Sequence, residues 1–169
     1  SVRSVHFTTS DHVQLSGLVY GHGKTTIVCT HMSDTTKDSW IDTGMPQQLA
    51  TLGYSVLLFD FRGYGDSQGS QDPSFLDVDL RAAVSFAHQQ GATRIVLMGA
   101  SMGGTAALKV ATEIQVTAVI SLSAPQVYGV QVTNDELNAL KIPKLFLASE
   151  DDISFALFAT HMGEVASPP

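Results

Sequence analysis

Five short β-branched or apolar runs punctuate this chain, at residues 26–30, 55–60, 94–99, 117–122 and 144–148, and each gap between them has room for a helix. Strands buried on both faces read as near-continuous apolar runs, so the pattern predicts a mostly parallel sheet with helices packed on either side. Two further runs, 2–7 and 14–19, flank the polar segment 8–12 and predict an antiparallel hairpin, which brings the strand count to seven. Helix signals fill the gaps. Leu76, Leu80, Ala83, Val84 and Ala87 recur at helical spacing, with Pro73 near the start and Gly91 just past the end. A shorter helix is expected from Pro46 to about Leu52, stopped by Gly53, and others after Ser101, over 134–140 and over 154–166. With 44% apolar residues and no repeat, low-complexity tract or linker, residues 1–169 are expected to form one domain around a sizeable core.

Nine Lys and Arg stand against 16 Asp and Glu, a formal net charge of −7, and the basic residues do not cluster. A phosphate backbone would meet net repulsion, so nucleic acid is not an expected partner. No apolar run approaches the ~20 residues that span a bilayer, and no membrane is expected either. The single cysteine, Cys29, has no partner for an intrachain disulfide, and the expectation is a soluble protein of a reducing compartment, the cytoplasm.

The segment with most chemistry in it follows the run 94–99. Gly99, Ala100, Ser101, Met102 and Gly103 form G-x-S-x-G, and residues 104–111 are small and helix-forming. The pentapeptide alone has about 0.1 chance occurrences at this glycine and serine content, so its meaning comes from its place between a strand and a helix. A sharp turn there holds the serine in a strained conformation, and side chains two positions away on either side would collide with the adjoining strand and helix. The serine hydroxyl is then presented at the carboxyl edge of the sheet.

On these residues, and on those that follow, the sequence resembles the α/β hydrolase family from the opening hairpin to residue 169. The family usually has a His-Gly pair after its third strand; here His31 and Met32 stand in that position. The resemblance implies an oxyanion hole made by the backbone N–H groups of Met32 and Met102, with a Cβ at position 32 restricting how that N–H is aimed. His31 is expected to be a structural residue of the strand end. Asp60, Phe61, Arg62, Gly63, Tyr64, Gly65, Asp66 and Ser67 look like the family's D-x-R-G-x-G-x-S loop, for which an architectural role is expected, with Arg62 tying neighbouring loops. Aligning Pro143 with the proline that commonly precedes the acid strand puts the triad acid at Asp152, with Asp151 as the alternative; a helix cap is the competing reading of Asp152.

The triad order in this fold is Ser, Asp, His. Only His161 follows Asp152, and in a regular helix its backbone would stand about 13 Å from the acid, too far to share a hydrogen bond. A packing or solvent-facing role is expected for it, and His6, His12, His22 and His88 match no family position. The resemblance therefore implies that the family's last strand, histidine loop and final helix, roughly 30 to 45 residues, are absent from this chain. Strand 144–148 would then be an open sheet edge, and a chain that truly ended at Pro169 is expected to self-associate through it.

Other signals are weaker. Gly23, Lys24 and Thr25 imitate the end of a phosphate-binding loop, but Leu18 occupies the first glycine position and a strand follows. Gly63 and Gly65 begin a dinucleotide fingerprint that Gln68 breaks. The carboxylates at 150–152 lack a complementary ligand set, so neither a metal nor a cofactor is expected. The resulting expectation is an α/β hydrolase fold and a serine hydrolase acting on a small-molecule ester or related acyl substrate, with Ser101 as nucleophile, Met32 and Met102 as oxyanion donors and Asp152 as acid. Only about 20 residues separate the sixth strand from the acid strand, which leaves little room for a lid. The alternative is a non-catalytic, hydrolase-like binding module that lacks the histidine.

Overall fold

The computed structural model describes residues 1–169 throughout. In chain order it contains β1 (Val2–Thr8), β2 (Gln14–Tyr20), β3 (Thr25–Thr30), α1 (Asp38–Ile41), α2 (Met45–Thr51), β4 (Ser55–Phe59), α3 (Leu76–Gln89), β5 (Arg94–Ala100), α4 (Met102–Glu113) and β6 (Ala118–Leu122). A two-residue pair follows, β7 (Val127–Tyr128) and β8 (Val130–Gln131), and then α5 (Asn134–Ala139), β9 (Lys144–Leu147) and α6 (Ile153–Val165). The seven expected strands form one sheet in the order β1-β2-β4-β3-β5-β6-β9. β1 pairs antiparallel with β2 and β2 with β4; every other pairing in this sheet is parallel.

This strand order determines where a site can be built. The chain moves from β3 to β4 on one side, then crosses back through α3 to β5 on the other, so the order reverses between β3 and β5. In sheets of this kind the carboxyl ends of two such strands are the place where a site is built. Met32 and Ser101 each lie just beyond one of those ends.

Alternation along the strands divides the apolar side chains between two layers. Val28, Leu57, Phe59, Ile95, Leu97 and Val119 face α3 and α4 in the larger core, together with the predicted stripe Leu76, Leu80, Ala83, Val84 and Ala87. Ile27, Cys29, Val56, Leu58 and Met98 face the other way, under Trp40 of α1 and the apolar residues of α2. Fully burying one such Val or Leu stabilises the fold by about 1.5–3 kcal/mol. Cover on this second face fails toward β9: Met98 is buried, Ile120 and Leu122 are half-buried, and Leu145 and Leu147 are 48% and 45% exposed.

Within residues 1–169, β9 is the last strand on its side of the sheet, and its two faces differ in cover. β9 pairs only with β6, and α6 packs over one face through Met162, which shares the larger core with Phe146. One face of β9 is thus covered by α6, and the other, with Leu145 and Leu147, is bare. Lys144 does not protect the edge, because its Nζ turns back to the carbonyls of Leu140 (2.8 Å) and Ile142 (3.2 Å). No helix of the chain is long and apolar enough to cross a membrane.

An unpaired strand with two bare leucines is a template for another strand. A protein consisting of residues 1–169 should therefore show a light-scattering mass that rises with concentration above that of one chain, and Leu147→Lys should lower it. A monomer at high concentration with the wild-type edge would contradict this.

Candidate active site

Ser101 sits between β5 and α4 with φ 50° and ψ −119°, a conformation that costs a residue with a Cβ about 1–3 kcal/mol. Three main-chain hydrogen bonds hold it there. Its N–H donates to Leu122 O (2.8 Å), and its carbonyl accepts from the N–H groups of Gly104 (2.8 Å) and Thr105 (3.1 Å). The two motif glycines are required by close approach, as expected: a Cβ at Gly99 would overlap the carbonyl of Gly103, and one at Gly103 would overlap the carbonyls of Thr30 and His31. Thr30 Oγ1 donates to Gly103 O (2.7 Å), which fastens the end of β3 to the first turn of α4.

Across the site, His31 is fully buried. Its Nε2 accepts from the Phe61 N–H (3.1 Å), which makes Nδ1 the protonated nitrogen, and Nδ1–H donates to Met32 O (2.7 Å). The ring packs edge-on against Phe61 and Tyr64, at 5.2 and 4.9 Å between centroids. Burial lowers its pKa from the ordinary histidine value. Both ring nitrogens are occupied, so His31 is the structural residue the sequence led us to expect. The Met32 carbonyl accepts a second bond from Thr35 Oγ1 (2.8 Å), while the Met32 N–H has no backbone partner. Met32 is not left-handed. Met102, as the first residue of α4, has an N–H for which the helix supplies no acceptor.

The loop after β4 is architectural. Arg62 donates to Asp79 from N (2.9 Å), Nε (2.9 Å) and Nη2 (2.7 Å), and to Asp11 from Nη1 (2.7 Å) and Nη2 (2.9 Å), with its guanidinium 4.3 Å from the centre of the Phe75 ring. It thereby ties the opening hairpin, the β4 loop and α3 together. Asp60 is buried and accepts from the N–H (2.8 Å) and Nζ (2.7 Å) of Lys37 and from the Asp66 N–H (3.1 Å). Lys37 Nζ also reaches Asp66 (2.9 Å), and Ser67 Oγ donates to Asp60 O (2.6 Å). Lys37 and Asp79 escaped the sequence reading. Lys37 is the only basic residue between β3 and β4, and Asp79 sits on the apolar stripe of α3, an odd place for an unpaired carboxylate.

Asp152 lies in the loop beyond β9, at the same end of the sheet as Ser101. It is exposed, and its Oδ1 caps α6 at the Phe155 N–H, 3.5 Å away. The competing cap reading is therefore observed, and Asp151 is exposed beside it. One strand, β6, separates β5 from β9, so their carboxyl ends stand about 10 Å apart, a gap that an imidazole can bridge. None of the six histidines does so. His6 meets Ser16 Oγ, His22 meets Ser1 Oγ, His88 meets Ala92 O, His161 meets Asn134 Oδ1, and His12 lies in the hairpin turn. No three His, Cys, Asp or Glu side chains converge as a metal-ligand set.

A family model described as the alpha/beta hydrolase fold matches residues 22–142. An uncharacterized Mycobacterium tuberculosis protein is 32% identical over 123 residues, which cover 66% of this chain and 41% of that protein. A quorum-quenching protein of Acinetobacter baumannii is 30% identical over 126 residues, covering 69% of this chain and 41% of that protein. This chain thus spans about two-fifths of the length of these curated relatives. Among solved structures, the Pyrococcus furiosus esterase Pf2001 superposes with a TM-score of 0.77 at 22% identity, over 100% of this chain and 80% of that one.

The His31 geometry has a pH signature. The neutral ring is favoured in the folded state, so the unfolded chain binds more protons just below the ordinary value of about 6.5, and the contribution of His31 to stability is lost as pH falls from there through its lowered pKa. Long-range ¹H–¹⁵N spectra should find the proton on Nδ1 at pH 7 and a titration midpoint below 6.5. An Nε2–H tautomer or an ordinary midpoint would contradict the assignment.

Proposed function

The chain belongs to the alpha/beta hydrolase fold family, and from that premise we propose that it carries the nucleophile of a serine hydrolase that cleaves an ester or related acyl substrate. The observation that carries this reading is Ser101, a left-handed serine held between a strand and a helix by three main-chain hydrogen bonds. That turn presents a half-buried hydroxyl beside an unpaired helix N-terminal N–H, with a second unpaired N–H at Met32 across the site.

In the proposed reaction, Ser101 Oγ attacks the acyl carbon while a histidine takes its proton. The carbonyl oxygen becomes an oxyanion, to which the N–H groups of Met32 and Met102 donate. Collapse breaks the bond to the leaving alcohol, which takes the proton from the imidazolium, and water then releases the acid by the same steps in reverse roles. Asp152 orients the imidazole from the far side of β6. The base is proposed to come from outside residues 1–169, because five of the six histidines within them hydrogen-bond to other partners and His12 lies in the opening hairpin turn. Between β6 and β9 lie only the short β7–β8 pair and α5, which suits a small, accessible acyl substrate. The same distribution of histidines favours one other reading, a hydrolase-like module that binds without turnover.

The test uses the whole protein with a fluorophosphonate probe and a chromogenic ester. Rapid labelling at Ser101, with at least a ~10³-fold loss of ester hydrolysis in Ser101→Ala, is expected. Hydrolysis that survives Ser101→Ala would overturn the nucleophile assignment, and a whole protein that neither labels nor hydrolyses would favour the binding module.

A further inference from the structure

The segment 31–37, which carries Met32, has almost no structure of its own. Between His31 and Lys37 the main chain donates no hydrogen bond to another backbone group, and Asp34 takes a left-handed φ of 60°. Side chains hold it instead. At one end the Met32 carbonyl is fixed by His31 Nδ1 and Thr35 Oγ1. At the other, both the main-chain N–H and the ammonium of Lys37 donate to the two oxygens of the Asp60 carboxylate, at 2.8 and 2.7 Å. The side chains of that pair are 7% and 0% exposed. Through the Asp66 N–H and the Lys37–Asp66 contact, the same carboxylate also joins this segment to the loop after β4.

A buried ion pair is a poor source of stability, because desolvation offsets most of its attraction. It does fix direction. Position 32 carries a side chain, so its N–H has to be aimed by whatever holds the segment rather than by glycine's freedom. We infer that Lys37 is a positioning residue, acting through its clamp on Asp60 to keep the Met32 N–H pointed at the acyl oxygen. This rests on the reading of Ser101 as the nucleophile. A displacement of about 1 Å in such a donor lowers the rate of the chemical step with little effect on binding.

The experiment uses the whole protein and a fluorophosphonate, whose fluoride is displaced as Ser101 Oγ bonds to phosphorus. Lys37→Met should lower the maximal labelling rate about 10- to 100-fold while the half-saturating probe concentration stays within about twofold. Lys37→Arg should restore part of the rate. Amide exchange should quicken in residues 31–38 and stay unchanged in β5 and α4. Asp66→Ala, which removes an exposed partner of Lys37 and carries the test if Lys37→Met does not fold, should give a smaller fall of the same kind. Parental labelling rates in a folded Lys37→Met, or in Asp66→Ala where the first does not fold, would overturn the positioning role alone. A parent that is not labelled at Ser101 would overturn the underlying reading, and the inference with it.

Discussion

A single residue in the left-handed region, Ser101, constrains most of what surrounds it. Its conformation is unfavourable by about 1–3 kcal/mol, and three main-chain hydrogen bonds worth about 1 kcal/mol each offset that. Those bonds exist only if β6 lies beside β5 with Leu122 in register and α4 starts at once. Gly99 and Gly103 follow from the same geometry, since the strand end, the helix start and β3 converge too closely for a Cβ. The strain is therefore a property of the sheet as much as of the turn.

The opposite wall of the proposed site is organised by buried charge. Arg62 joins Asp11 and Asp79, and Lys37 joins Asp60 and Asp66, so two cations brace the loops on either side of the β4 end. Asp11, Asp60 and Asp79 each accept several donors, which is the condition under which buried ions are tolerated, while Asp66 is exposed and accepts from Lys37 alone. The Arg62 guanidinium is held firmly in its charged form by Asp11 first and Asp79 next. His31 completes the wall in the opposite electrical state, a ring kept neutral by burial that spans Phe61 and Met32. These side chains hold loops that carry little regular structure of their own.

Local signals suffice for the sheet. Five of its seven strands are short runs of β-branched or apolar residues, the other two flank a polar turn, and Leu76 to Ala87 shows its buried face by spacing alone. The elbow is equally legible, because glycine, serine and glycine at that spacing between a strand and a helix have a steric reason. What escaped depends on pairs distant in sequence. Lys37 finds Asp60 and Asp79 finds Arg62 only after the strands are ordered, and no periodicity marks them. The β7–β8 pair has two residues per strand, too short for any pattern. Asp152, expected as the acid, caps α6 in the loop after β9, and none of the six histidines meets it.

In the proposed site the strained serine and two main-chain N–H groups, on Met32 and Met102, form one reaction centre. The most direct measurement is a crystal structure of the whole protein with Ser101 phosphonylated. The phosphonyl oxygen should lie about 2.7–3.1 Å from both the Met32 and Met102 nitrogens. An oxygen turned to solvent, with either N–H more than hydrogen-bonding distance away, would contradict the account.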